Sequence, residues 1–206
     1  SSDLTEPSTF TDSDGMFTLV GNNIEDSILL LTGGDDIGTG LPFNGKLTAP
    51  AGSTTITPLT TMIQALVSQG QTLADAQTIL QTNLGIPDSI DLKNYDPIAS
   101  LTTDASDSNA RKVLQEQTKV QILIETINAT VGGLVDNEDS KEHLNSTFKS
   151  ISTKVFNNED ISDSNVIKNL IDDTAKSAGK CRNGLGPGWP GANLDKVSAS
   201  IAQKSS

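Results

Sequence analysis

The spacing of apolar positions changes near residue 57. Before it, apolar residues come in short runs between Gly, Asn and Asp: Met16-Phe17-Thr18-Leu19-Val20, Ser27-Ile28-Leu29-Leu30-Leu31 and, after Gly45-Lys46, Leu47-Thr48-Ala49. Such runs bounded by turn residues predict strands at Met16–Val20, Ser27–Leu31 and Gly45–Ala49. Phe17, Leu19, Ile28 and Leu30 fall on alternate positions, so they are expected to share a face that needs cover. After residue 57 the period becomes helical. Thr57 suits an N-cap, and Pro58 at the first helical position sacrifices no needed N–H.

The first helix is predicted from Pro58 to Ser68, with Gly70 as its stop. Thr72, followed three residues on by Asp75, predicts a capped second helix carrying Leu73, Ala76, Ile79, Leu80 and Leu84, ended by Gly85-Ile86-Pro87. Leu92 to Leu101 reads as a connector. The longest helix is expected from Asp107 to Thr130, with Val113, Val120, Leu123, Ile124, Ile127 and Val131 facing the core and Gly132-Gly133 stopping it. Further helices are expected at Ser140–Phe156 and Ser162–Ala178. A Gly/Pro loop from Gly179 to Gly191 holds Trp189, and a short amphipathic end piece carries Leu194, Val197 and Ile201.

These elements predict an α+β protein: a short, incomplete N-terminal β-sheet or sandwich followed by a helical bundle. The expected divisions are residues 1–50 (β-rich), 51–178 (helical bundle) and 179–206 (loop and terminal helix). Three strands are too few for a sandwich, so the sheet is expected to keep an open edge. Helices can cover its face but are not expected to pair its edge. The extended, polar segment Ser1 to Thr11 is the expected strand donor, to this sheet or to a neighbouring copy's.

Charge narrows the partners. The 206 residues include 14 basic and 26 acidic ones, a formal net charge of -12. Nucleic acid and anionic lipid need basic surface and are disfavoured. Aromatics are 3%, so the core must rest on Leu, Ile, Val and Ala, and stacking platforms for sugars or bases are poorly supplied. One cysteine, Cys181, excludes an internal disulfide and a multi-cysteine metal site. No run reaches the ~18 apolar residues of a membrane helix. The chain starts without Met, which suggests a processed product or a fragment.

Candidate chemistry is sparse. Asp12-Ser13-Asp14-Gly15 and Asp35-Asp36 supply hard oxygen ligands, and Asp12, Asp14, Asp35 and Asp36 form the candidate calcium set. The full twelve-residue calcium loop is absent, and the same residues suit a hairpin turn, so both readings stand. Gly38 and Gly40, and Gly184 to Gly188, lack the order of a phosphate loop. His143 stands beside Lys141 and Glu142 without a second imidazole or a nucleophile elbow. No carboxylate pair is singled out for acid–base work. The chain is therefore expected to be non-enzymatic.

Two stretches carry a family resemblance. Glu6 to Leu19, with Thr11-Asp12-Ser13-Asp14-Gly15-Met16-Phe17-Thr18-Leu19, resembles the second half of a carboxypeptidase-regulatory-like β module. Leu31-Thr32-Gly33-Gly34-Asp35-Asp36-Ile37-Gly38-Thr39-Gly40, followed by Leu47 to Thr61 with its Ala49-Pro50-Ala51-Gly52-Ser53-Thr54-Thr55-Ile56-Thr57-Pro58-Leu59-Thr60-Thr61 core, resembles a module of very large exported proteins of marine bacteria and cyanobacteria. Leu84-Gly85 and Tyr95-Asp96-Pro97-Ile98 fit the same pattern. The resemblance spans about residues 6–130. It implies a secreted or cell-surface, adhesin-like structural module, without catalysis, working where calcium is plentiful. A β module missing its first strand exposes an edge that a neighbouring copy could complete, so self-association into a fibre or layer is expected. The rival expectations are a module binding a carbohydrate or small apolar ligand, and an unrecognised hydrolase.

Overall fold

A computed structural model describes residues 6–205 except 23, 37–39, 44, 135–139 and 178–190; the side chains of 36, 41–42, 132–134, 140–145, 177, 191–194 and 204–205 also lie outside the description. Strands β1 (Leu29–Thr32), β2 (Asp35–Asp36), β3 (Leu41–Pro42) and β4 (Lys46–Ala49) precede helices α1 (Pro58–Ser68), α2 (Leu73–Leu84), α3 (Pro97–Thr103), α4 (Ser108–Leu134), α5 (Ser140–Phe156), α6 (Ser164–Ser177) and α7 (Gly191–Ser205). The class is α+β, a small antiparallel sheet leading into a helical bundle. β1 pairs with β4 through Leu29↔Ala49, Leu30↔Thr48, Leu31↔Leu47 and Thr32↔Lys46. β2 and β3 form a separate small ribbon.

Helix ends follow local chemistry. The Thr57 hydroxyl accepts the Thr60 N–H and the Thr60 hydroxyl accepts the Thr57 N–H, closing a reciprocal cap before Pro58. Thr72 caps α2 by accepting the Asp75 N–H, and Gly85 ends it in the left-handed region at φ 63°. Asp96, Asp107 and Asp163 each accept two backbone N–H groups at the start of α3, α4 and α6. Part of the chain's negative charge is thus consumed in capping and in favourable contact with helix N-termini. Asp104, just past α3, is held below the usual carboxylate range by the Ser106 hydroxyl and amide that donate to it.

The buried core runs from Leu47 through Leu59, Met62, Ile63 and Leu66 of α1 to Val113–Val131 of α4, then to Ile151, Ile167, Leu170 and Ile201. α5 packs on α1, α4 and α6, and α7 packs on α4 and α6. The expected stripe on α4 is buried along its length. Inside the bundle the buried Thr147 hydroxyl donates to Asn128 Oδ1 at 2.9 Å. Glu116, 5% exposed, is held by Lys112 at 2.8 Å and Lys119 at 3.5 Å along the same helix.

Several expectations are corrected. Met16–Val20 is not a strand. Residues 92–101 are not a plain connector, because Asp96-Pro97 opens α3. Gly132-Gly133 do not stop α4, which continues to Leu134. Each Gly costs about 1 kcal/mol in a helix interior, and the packing of Val131 and the preceding stripe outweighs that. The inward face of β1 is Leu29 and Leu31, packed with Leu47 and Ala49, whereas Ile28 and Leu30 point out.

Candidate functional site

The segment Leu47–Thr61 turns out to be a clasp between sheet and bundle. Thr60 and Thr61 stand in the first turn of α1, beside the outer edge of β4. The Thr48 N–H donates to the Thr61 hydroxyl at 3.0 Å. The Thr48 carbonyl lies 3.1 Å from the Thr60 hydroxyl and 3.0 Å from the Thr61 hydroxyl. Both hydroxyls also reach the Thr57 carbonyl, so two protons serve two carbonyl oxygens. A helix therefore does satisfy a strand edge here, through side-chain hydroxyls, contrary to the expectation that it could not. Earlier in the segment, the Thr54 and Thr55 N–H groups and the Thr55 hydroxyl donate to the Lys93 carbonyl, and Asn94 Oδ1 accepts from Thr54.

The other edge of the pair lacks such a clasp. The backbone groups of Thr48 point at α1, so its antiparallel partner Leu30 points its own N–H and C=O the opposite way, off the free side of β1. Neither group of Leu30 has a hydrogen-bond partner among the described residues. The Ile28 and Leu30 side chains, on the outer face, are 57% and 53% exposed. Lys46 lies on that same face across the ladder and makes no ion pair among the described residues.

Upstream, residues 7–21 fold as a loose hairpin arm. The Asp12 N–H donates to the Met16 carbonyl at 2.9 Å and the Gly15 N–H to the Asp12 carbonyl at 3.0 Å, with Gly15 at φ 76°. This is a type I turn closed by a left-handed Gly, the geometry of a bulged hairpin loop. Pro7 stands opposite Gly21 in that register, where an added Cβ would collide with the Pro7 ring. Away from the turn, residues 6–11 and 17–20 make no backbone hydrogen bond among the described residues. Phe10 (95% exposed), Met16 and Val20 (83% exposed) project into solvent.

Among the described residues the candidate calcium ligands are not grouped at one site. Asp12 Oδ1 accepts the Asp14 and Met16 N–H groups at 2.9 Å each, so half of its carboxylate serves the turn. Asp14 is exposed in the same turn, and Asp35 is exposed at the start of β2. The side chain of Asp36 lies outside the described residues, as do His143, Cys181 and Trp189. Among the described residues no three His, Cys, Asp or Glu side chains are grouped to hold a metal ion. The described ligands do not fit a preformed calcium cage, and no chemistry is derived from one.

An open edge was expected; that it falls on β1, with Leu30 turned outward beside Lys46 instead of toward the core, was not, because strand parity was set one residue off. The Thr-Thr pair directly after a capped Pro carried a signal for the clasp, since two hydroxyls in a first helical turn suit bonding to neighbouring backbone. No protein-family model, curated protein or solved structure matches the chain. No helix among the described residues is long and apolar enough to cross a membrane.

Proposed function

We propose that this chain is a non-enzymatic extracellular structural or adhesive module that associates with copies of itself or with neighbouring parts of a parent protein through an open β edge. The observation that carries this reading is the β1 edge: Leu30 offers an unbonded N–H and C=O between two exposed apolar side chains, while the matching edge of β4 is clasped by α1. Soluble proteins rarely leave such an edge bare, because it templates pairing. The acidic surface disfavours nucleic acid and leaves protein as the natural partner. The adhesin-like setting comes from the sequence resemblance and stays part of the proposal.

Calcium enters as a weak ligand of the turns bearing Asp12, Asp14 and Asp35, with Asp36 as a further candidate. It would tie turns together as they order rather than fill a ready cage. Sedimentation and negative-stain images of the full chain, with and without millimolar calcium, test both parts. Concentration-dependent mass or filaments are expected. A monodisperse monomer throughout would sink the structural reading, and the absence of any calcorimetric heat or melting shift would remove the metal.

A further inference from the structure

We infer that the strand completing β1 is the hairpin arm Pro7–Gly21 of a second copy of this chain. The inference rests on the self-association proposed above and names both of its contacting parts. Edge and arm have matching needs. β1 presents the unbonded N–H and C=O of Leu30 between Ile28 and Leu30 side chains on the outer face. The arm presents backbone without hydrogen bonds outside its turn, flanked by exposed Phe10, Met16 and Val20. Pairing them would satisfy main-chain groups on both sides and bury apolar area from each, which is how an added strand gains affinity.

Charge enters this match with both signs. From Glu6 to Gly21 the chain carries Glu6, Asp12 and Asp14 and no basic residue. The outer face of the β1–β4 pair carries Lys46, free of any ion pair among the described residues. An acidic arm laid along β1 would meet this cation across the ladder and also the exposed Glu25, Asp26 and Asp35 that flank the strand, so the pairing rests on main-chain bonds and apolar contact and is expected to strengthen as salt screens the acids. The chain's own arm is separated from β1 by the 3-10 turn Ile24–Asp26, closed by the Ser27 N–H on the Ile24 carbonyl at 3.0 Å, and it does not pair with β1. Because arm and edge are different surfaces, the contact is heterologous and need not close.

Complementation between two variants of the full chain tests this. Leu30→Lys spoils the edge and keeps the arm. The combined Phe10→Ser, Met16→Ser and Val20→Ser substitutions spoil the arm and keep the edge. In sedimentation equilibrium each variant alone is expected to lose at least about tenfold in self-association. Mixed, they should form a one-to-one complex that grows no further, since one intact arm meets one intact edge. Circular dichroism checks that the helices persist, and Ile28→Lys replaces Leu30→Lys if that variant unfolds. If the natural chain associates and both variants associate equally well, or if the folded variants stay apart when mixed, arm-to-edge pairing is wrong while self-association stands. A natural chain that stays monomeric at about 1 mM removes self-association itself.

Discussion

The two strands of the β1–β4 pair have the same length and share one ladder, yet their outer edges meet opposite fates. β4 leans on the first turn of α1, where Thr60 and Thr61 take both backbone groups of Thr48. β1 faces solvent with Leu30 unbonded. The contrast extends to whole regions. Among the described residues before α1, Leu29, Leu47 and Ala49 of the ladder are buried, with Pro50 just beyond it, while Phe10, Met16, Val20, Ile28 and Leu30 are exposed. From α1 onward apolar residues close on one another, and Ile98 and Phe156 are the large ones left exposed among the described residues. Stability resides in the bundle, and unmet bonding capacity resides at the N-terminal side. A pairing surface can be kept bare only where a separate core supplies the folding free energy.

Breaking the bundle should have the largest effect. Ile124, 1% exposed on α4, is surrounded by the core, so Ile124→Ala should destabilise by about 2–5 kcal/mol in urea unfolding. A change near zero would move the core elsewhere. Thr61→Val keeps the shape but strands the Thr48 N–H, and should cost about 1–3 kcal/mol. If the cost is negligible, the clasp is ornamental and the two edges are more alike than described. On the open side, Leu30→Ala should change unfolding by no more than about 0.5 kcal/mol, because the side chain is exposed. A loss as large as that of Thr61→Val would mean that β1 is covered in solution. Hydrogen exchange sharpens the contrast without any substitution. In dilute monomer the Thr48 amide should exchange slowly and the Leu30 amide near the rate of an exposed loop, and association should slow Leu30 while leaving Thr48 unchanged.

Helix content and most helix ends were legible in the residues. Thr57-Pro58, Thr72 with Asp75, and Gly85 act within a single turn, so local chemistry decides them. α3 was legible too, in Asp96-Pro97, but its few residues were hidden inside a stretch that looked like a connector. Face assignment in the strands was not legible. Ile28, Leu29, Leu30 and Leu31 are all apolar, so alternation cannot choose which pair turns inward, and a slip of one residue reverses every side chain. The candidate calcium residues were legible as acids; their roles were not, since Asp12 spends Oδ1 on its own turn.

By itself, then, the sequence determined the order of β before α, the caps that start and stop helices, the α4 stripe and the acidic surface, because each depends on residues a turn or a pleat apart. Only the tertiary structure decided that α4 passes through Gly132-Gly133, that Leu29 rather than Leu30 faces the core, and that β4 is clasped while β1 is bare. Those outcomes depend on contacts between residues distant along the chain. Thr48 meets Thr61 across a loop that is itself pinned to Lys93 and Asn94, and Leu29 turns inward because Leu47 and Ala49 are there to receive it.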